Sequence, residues 1–253
     1  MTAKKRIVIV GATSAMAEHC ARLWLQEGPA EMVLLGRDAA RTERVAADLR
    51  VRRPDADIQT VPLAEADFLN PAAIQATVDD LWRAGPIDVA LIAHGSLPGQ
   101  DECQDSLGAC HRALEVNGVS PVLFAEALVG HMVRAGRGTL GLIGSVAGDR
   151  GRKSNYVYGA AKGLVTRYAQ GLQHRLAGSA VKVVLIKPGP TDTPMTAHLK
   201  STGARMAPVE GVAQQIVAGM AAGKPVVYAP GKWWLIMMVI RHLPAVVFNR
   251  LNI

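Results

Sequence analysis

The stretch Arg6-Ile-Val-Ile-Val-Gly11-Ala-Thr-Ser-Ala-Met-Ala17 decides the fold that we expect. An apolar run of strand length leads into a tight turn, and a segment of helical period begins at Met16. Gly11 allows the sharp turn, and the free N–H groups at the start of the following helix suit a pyrophosphate. A plain strand-to-helix turn is the alternative, because Ala15 and Ala17 stand where such phosphate turns usually carry glycine.

The same alternation of strand and helix continues along the chain. Its apolar runs are rich in Val, Ile and Leu, as strands buried on both faces of a sheet are. The predicted strands span 6–10, 32–35, 58–61, 88–92, 140–143, 181–186 and 226–228, and the predicted helices span 16–27, 38–52, 71–83, 106–135, 156–176 and 208–222. This order predicts an α/β fold with a doubly wound parallel sheet, which is a Rossmann fold of three α/β/α layers.

Length and composition favour one globular unit. With 253 residues and 49% hydrophobic residues, the chain can bury a large core. We predict one domain over residues 1–230 and a tail over 231–253, either part of that domain or facing a membrane or substrate. The net charge is +7, but no basic stripe is interleaved with aromatic residues, so we expect no nucleic-acid partner.

The sequence also bears on location and on metals. No run approaches the ~18 clean apolar residues of a transmembrane helix, so none is predicted. Cys20, Cys103 and Cys110 match no metal spacing and are typical of reduced thiols. We therefore expect a cytoplasmic protein without a metal, and its basic surface would suit an anionic membrane face or a phosphorylated substrate.

The end of the second predicted strand, Leu35-Gly-Arg-Asp38, lies where a dinucleotide fold contacts the adenosine ribose. Gly36 leaves room, and Arg37 could pair with a 2′-phosphate. This pattern favours NADP, with NAD as the alternative if Asp38 swings in to accept a bond from a free 2′-hydroxyl. A third interpretation is that Arg37 and Asp38 simply begin a surface helix.

Tyr158 and Lys162 are spaced by one helical turn, so they share a helix face. A nearby ammonium stabilises a phenolate, and we expect it to lower the Tyr158 pKa towards neutrality. Ser145 follows a predicted strand at the edge of the sheet where ligands bind. Asn117 precedes Gly118 inside a long helix, a pair that can break helix regularity and expose a carbonyl group to water.

Together these motifs resemble the short-chain dehydrogenase/reductase family over essentially the whole chain. The resemblance implies an NAD(P)-dependent oxidoreductase with a catalytic tetrad of Asn117, Ser145, Tyr158 and Lys162. It also implies cofactor contacts from Gly11, Thr13, Ser14, Met16, Arg37, Asp67, Phe68, Ala93, Gly95, Tyr158, Lys162, Pro188, Gly189 and Thr193. Besides the alanines of the first turn, the chain departs from the family at His94, which either contacts cofactor or substrate or is a loop histidine without a chemical role.

The family's mechanism assigns a role to each member of the tetrad. Ser145 would bind the substrate oxygen and stabilise charge there. Tyr158 would pass the proton, and Lys162 would lower its pKa and hold the nicotinamide ribose. Asn117 would hold a water molecule that links Lys162 to solvent.

The C-terminal tail is unusual. Trp233–Ile240 is wholly apolar but too short to span a bilayer, and Arg241, His242 and Pro244 interrupt it. Such a segment can lie in a membrane interface or line an apolar substrate channel. Alternatively it packs on its own core or on a second subunit.

Within the family, the tail and the segments 148–153 and 195–200 are most similar to ketoreductases that act with a flavin oxidase in decaprenylphosphoryl-ribose 2′-epimerisation. This implies a lipid-linked keto-sugar substrate, a flavin oxidase partner, and a position at the inner face of the membrane. Five basic residues would suit the phosphate of this substrate, namely Arg150, Arg152, Lys153, Lys200 and Arg241. Arg37 departs from that branch, which is associated with NADH.

Two other functions stay open. One is a reductase of a small ketone, steroid or acyl thioester that uses the tail to oligomerise, and a homo-oligomer is common in the family. The other is a nucleotide sensor without catalysis, which would have no need of the four catalytic residues.

Overall fold

The computed structural model describes residues 4–202 and 205–251. In this part of the chain, seven parallel strands form one sheet in the order β3-β2-β1-β4-β5-β6-β7. The strands are β1 Lys5–Val10, β2 Ala30–Gly36, β3 Asp57–Pro62, β4 Val89–Ile92, β5 Gly138–Ile143, β6 Val181–Pro188 and β7 Val226–Ala229. The helices are α1 Ala15–Glu27, α2 Ala39–Arg52, α3 Pro71–Arg83, α4 Gln100–Asp105, α5 Leu107–Leu114, α6 Ser120–Ala135, α7 Tyr156–Arg175, α8 Val209–Ala221, α9 Lys232–His242 and α10 Ala245–Phe248.

The sheet separates two apolar cores, as the continuous apolar strands predict. Ile7 and Ile9 of β1 point to a core closed by α1, α2 and α8. Val8 and Val10 point to the opposite core, closed by α3, α6 and α7. All four side chains are at most 1% exposed, so the predicted doubly wound α/β fold is confirmed.

Local signals fix several helix ends. The Asn70 side chain accepts hydrogen bonds from the amides of Ala72 and Ala73, at 2.9 and 3.2 Å, and Pro71 is the first helical residue, as predicted. Asp38 caps α2 in the same way. The predicted helix 106–135 is divided into α5, a π-helical turn at Glu115–Val119, and α6. The sequence analysis missed α4 and the two helices of the tail.

The helical stretch Leu107–Ala135 is long and apolar enough, by composition alone, to cross a membrane. Half of its most apolar window is buried inside the protein. Phe124, Leu128 and Met132 are completely buried in the core beneath the sheet. The stretch therefore serves as a core element of this fold.

Strand order positions the functional site. The chain crosses over from β3 to β4, so β1 and β4 are neighbours whose connections leave in opposite directions. Such a reversal opens a crevice at the carboxyl ends of the strands. The first turn, the β2 end and the loop after β4 all meet there.

Candidate active site

A cleft of about 310 Å³ lies at the carboxyl ends of β1, β2 and β4. Nine of the residues predicted to contact a cofactor line it, namely Gly11, Thr13, Ser14, Met16, Arg37, Phe68, Ala93, Gly95 and Thr193. The other five are outside the lining, namely Asp67, Tyr158, Lys162, Pro188 and Gly189, although Phe68 and Leu69 next to Asp67 belong to it. The adenine contact of Asp67 therefore stays a prediction.

The turn after β1 is built around Gly11. Its φ of +85° is in the left-handed region, and a Cβ there would lie 2.5 Å from the amide nitrogen of His94. The amides of Gly11 and Ala12 both donate to the Leu35 carbonyl, so they hold the turn against β2. The Ser14 side chain makes no capping bond to α1. The amides of the first helical turn thus face the cleft and could hold a pyrophosphate.

The β2 end of the cleft is lined by two arginines and two carboxylates. Arg37 and Arg41 both line it, and Arg37 lies 3.2 Å from a Glu65 carboxylate oxygen. Asp38 also lines it, but its carboxylate accepts the Arg41 amide at 2.9 Å and so caps α2. A Cβ at Gly36 would lie 2.1 Å from the Thr42 hydroxyl, so the strand end has no room for a side chain. This end fits a ribose with a 2′-phosphate, since Asp38 is engaged as a cap.

Ser145, Tyr158 and Lys162 meet beside this cleft. Ser145 follows β5, is 9% exposed, and accepts the Ala147 amide at 3.0 Å. Its hydroxyl is near enough to that of Tyr158 to lower the pKa of the phenol. The Lys162 ammonium donates to the Ile143 carbonyl at 3.0 Å and lies 5.9 Å from the centre of the Tyr158 ring. The structure therefore brings the three predicted side chains to one place.

The ionisation of these groups differs from the expectation. Burial raises the pKa of Tyr158, and the nearby Ser145 hydroxyl opposes this rise. Burial also lowers the pKa of Lys162 to about 8. The prediction that Lys162 lowers the Tyr158 pKa towards neutrality is wrong for this state, because the loss of solvation outweighs any attraction to the ammonium. Tyr158 is a neutral phenol at pH 7.

Asn117 lies in the π-helical turn and is completely buried. Its amide oxygen accepts the Ser96 amide at 2.8 Å, and its nitrogen donates to the Ala113 carbonyl at 3.0 Å. The expected break in helix regularity at Asn117 is confirmed. A Cβ at Gly95 would lie 2.8 Å from the Asn117 oxygen and 3.7 Å from the Lys162 ammonium, so Gly95 lets the loop pass close to both. The water held by Asn117 stays a prediction.

His94 forms part of the cleft wall. Its Nε2 lies 2.8 Å from the Ser120 hydroxyl, which itself donates to the Phe68 carbonyl at 2.6 Å. Nε2 therefore carries the ring proton, and Nδ1 is an acceptor. Burial, and then Lys162 and Arg37, lower the pKa of His94 to about 3. Nδ1 is buried without a hydrogen-bond partner in the described structure. Because buried polar atoms are normally hydrogen-bonded, this favours a contact of His94 with cofactor or substrate over a loop histidine without a chemical role.

A second buried polar group lies behind the β5 and β6 ends, and the sequence analysis missed it. Lys187 and Asp149 form an ion pair, and their side chains are 3% and 2% exposed. The Tyr228 hydroxyl donates to the same carboxylate at 2.8 Å. This group anchors the strand end that carries Pro188 and Gly189. No sequence signal links the three residues, because they lie on different elements far apart in the chain.

The tail packs against the predicted nicotinamide motif. A Cβ at Gly189 would lie 1.9 Å from Trp233 Nε1, so the ring rests directly on the Gly189 backbone. Arg150 donates to the Ile240 and Leu243 carbonyls, at 2.5 and 2.7 Å, and its guanidinium lies 3.7 Å from the centre of the Phe248 ring. Arg150 thus holds the tail, and its predicted contact with a substrate phosphate stays a prediction.

A doubly wound sheet with a cleft at the carboxyl ends of its strands, beside a serine, a tyrosine and a lysine, is typical of an α/β enzyme that uses a nucleotide. The chain belongs to the short-chain dehydrogenase family, whose sequence model matches residues 5–204. It is an oxidoreductase of that family.

Relatives of similar length support the assignment. The chain is 32% identical over 246 residues to an uncharacterized oxidoreductase of Mycobacterium tuberculosis, covering 97% of this chain and 96% of that one. It is 29% identical over 248 residues to an uncharacterized oxidoreductase of Streptomyces coelicolor, covering 98% and 96%.

Solved structures support the fold. A short-chain dehydrogenase from Sphingobium yanoikuyae in complex with NADPH superimposes with a TM-score of 0.79 and 22% identity, over 98% of this chain and 96% of that one. A short chain dehydrogenase from Burkholderia cenocepacia in complex with NADP gives a TM-score of 0.81 and 18% identity, over 99% and 98%.

Proposed function

We propose that the protein reduces the carbonyl group of a hydrophobic substrate with NADPH. The observation that carries this proposal is the meeting of Ser145, Tyr158 and Lys162 at the side of the cleft, where burial keeps Tyr158 a neutral phenol. A neutral phenol beside a hydroxyl group is arranged to give a proton to a substrate oxygen. This favours reduction over alcohol oxidation.

NADP fits the cleft better than NAD. Arg37 and Arg41 face the position of a 2′-phosphate, whereas Asp38 is engaged as a helix cap. The two structural neighbours described above hold NADPH and NADP, which supports the same choice. NAD is the alternative if Glu65, which pairs with Arg37, accepts the free ribose hydroxyls.

When bound, the dinucleotide supplies a hydride to the carbonyl carbon. Ser145 positions the carbonyl oxygen through its hydroxyl proton, while its own oxygen accepts the Ala147 amide. Tyr158 gives its proton to that oxygen, so the product is an alcohol. The buried Lys162, with its pKa near 8, lies where it can stabilise the phenolate that remains and hold the nicotinamide ribose.

The substrate end of the site is apolar. Trp233 covers the Gly189 backbone, and Met195 lines the cleft from the segment after β6. A polar small molecule would gain little from these surfaces, whereas an apolar group would be removed from water there. The contacts therefore support a hydrophobic carbonyl compound as substrate.

A lipid-linked keto-sugar is the narrower form of this proposal. Arg152 and Lys153 line a pocket of about 330 Å³ with Phe248 and Asn249, and Arg152 Nε is buried there without a partner in the described structure. Burial lowers the pKa of Arg152, and Asp149 opposes this. An anionic substrate group would satisfy that nitrogen.

The remaining elements of the narrower form stay predictions. Lys200 lies outside the described side chains, so its contact with a phosphate is untested. The flavin oxidase partner, the homo-oligomer and the position at the inner membrane face are also untested. The descriptions of the relatives named above specify no substrate.

A carbonyl screen tests the proposal. Purified protein is mixed with NADPH or NADH and with matched pairs of ketones that differ in chain length, and dinucleotide oxidation is followed. We expect oxidation of NADPH that increases with the apolar size of the ketone. Oxidation of NADH alone, or a preference for the shortest ketones, would contradict the proposed cofactor or substrate class respectively.

A further inference from the structure

The C-terminal hairpin, defined here as α9 with α10, presents an apolar face to solvent. On α9, Trp234, Leu235 and Val239 are 56%, 63% and 57% exposed. On α10, Val246 is 72% exposed and Val247 is 44% exposed. Large apolar side chains gathered on one surface mark an interaction site more often than the same residues scattered singly.

The hairpin is fixed to the domain by its other face. Met237 is completely buried, and Trp233 rests on Gly189. Arg150 binds two carbonyls at the end of α9 and stacks on Phe248 of α10. Packing of the tail on its own core thus accounts for the inner face and leaves the outer face without a partner in the described structure.

The hairpin itself carries charge of one sign. All 21 acidic residues of the chain lie at or before Glu210, so the last 43 residues carry no carboxylate side chain. The cations Lys232, Arg241 and Arg250 of this segment are exposed. A partner for this surface must accept apolar side chains and provide negative charge.

We propose that the C-terminal hairpin docks the protein on an anionic lipid bilayer. A bilayer surface provides both requirements, since apolar side chains enter the acyl boundary while Lys and Arg stay among anionic headgroups. The aromatic ring of Trp234 suits the interface between them. The two helices are short, so the hairpin lies on the bilayer and does not cross it.

A second copy of the chain fits this surface less well. In a symmetric dimer the same patch faces itself, so Arg241 and Arg250 of one copy would approach those of the other. No carboxylate in the hairpin is available to offset that repulsion. The charge therefore favours a lipid surface over self-association.

Docking would also orient the cleft. Trp233 contacts the Gly189 backbone at the predicted nicotinamide motif, and the adjacent Trp234 is on the outer face. The substrate end of the site then opens near the bilayer surface. The docking itself rests on the surface residues and not on the proposed reaction, so its test requires no turnover.

Vesicle co-sedimentation of the full chain tests the proposal. One set of vesicles is phosphatidylcholine alone, and the other contains an equal share of phosphatidylglycerol. We expect pelleting with the second set, weakened by added salt. The double variant Leu235→Ser/Val239→Ser should bind the vesicles at least about tenfold more weakly, because it removes two apolar side chains from the acyl boundary.

The matched control is Val51→Ser/Leu107→Ser, which removes two side chains that are 82% and 86% exposed on other surfaces. It should pellet like the unmodified protein. Equal pelleting of the hairpin variant and the unmodified protein would overturn the proposal, as would no pelleting at all. So would light scattering that shows a dimer for the unmodified protein and a monomer for the hairpin variant, because the face would then join two copies.

Discussion

The Gly189 backbone and the Trp233 ring are in direct contact, and a Cβ added at Gly189 would lie 1.9 Å from Trp233 Nε1. No side chain fits at residue 189 unless the Trp233 ring or α9 moves. The C-terminal hairpin and the strand end that carries Pro188 are therefore packed as one unit. This contact ties the substrate end of the site to the tail.

We predict that Gly189→Ala lowers the free energy of unfolding by about 1–3 kcal/mol, as overpacking of a filled site does. Trp233→Ala in the same chain should relieve the clash, so that the double variant is more stable than the two single effects added together. Thermal unfolding of the four proteins measures this coupling. Strictly additive effects would show that the two residues do not constrain each other.

Arg37 sets the dinucleotide preference in this account. We predict that Arg37→Ala weakens NADPH binding by about ten- to a hundredfold, the effect of losing one charged hydrogen-bond partner. NADH binding should stay nearly constant, because it has no 2′-phosphate. Titration calorimetry with both dinucleotides measures the two affinities.

Arg44→Ala is the matched control for that experiment, since Arg44 is an exposed arginine of α2 outside the cleft lining. It should change neither affinity. Equal losses of NADPH and NADH binding in Arg37→Ala would argue against a phosphate contact.

The pKa of Lys162 predicts that the catalytic efficiency depends on pH. Because burial lowers that pKa to about 8, the ammonium loses its charge as the pH rises through 8. We predict that kcat/KM for NADPH, which reports the cofactor-free enzyme, falls above pH 8. Burial raises the pKa of Tyr158 above its usual value of 10, so the phenol does not titrate in this range. A flat profile up to pH 9 would contradict the assignment.

His94 makes the fold sensitive to acid. Its folded-state pKa, about 3, is lower than its ordinary value of 6.5, so the unfolded chain binds one more proton between these values. The His94 contribution to the free energy of unfolding is therefore complete above pH 6.5. It declines as the pH falls towards 3, by at most ~1.4 kcal/mol per pH unit. Chemical denaturation across this range measures the slope.

His94→Asn should remove that contribution and leave a shallower slope, because an amide does not titrate and can still bond to the Ser120 hydroxyl. An unchanged slope in the variant would place the acid sensitivity on other groups.

The fold could be predicted because its signals are local. Apolar runs such as Ile7–Val10 have the length and composition of buried strands, and Asn70 with Pro71 marks a helix start wherever the helix packs. Tyr158 and Lys162 share a helix face by spacing alone. These inferences needed no knowledge of how distant segments meet.

The parts that could not be predicted depend on long-range contacts. Asp149, Lys187 and Tyr228 lie on separate elements, and only the folded sheet brings them together. The same holds for Arg150, which is one of several basic residues in sequence but is committed to the tail by its contacts. The Tyr158 pKa was predicted in the wrong direction because the sequence does not show how much solvation the phenol loses in the fold.

The central claim is that Tyr158 carries the proton. Its matched control is Tyr168, a tyrosine of the same helix whose hydroxyl donates to Glu126. The most direct measurement compares single-turnover reduction and NADPH binding in Tyr158→Phe and Tyr168→Phe. We predict that both bind NADPH, that Tyr168→Phe reduces substrate normally, and that Tyr158→Phe is slower by about a hundred- to ten-thousandfold. Reduction by Tyr158→Phe at the unmodified rate would contradict the account.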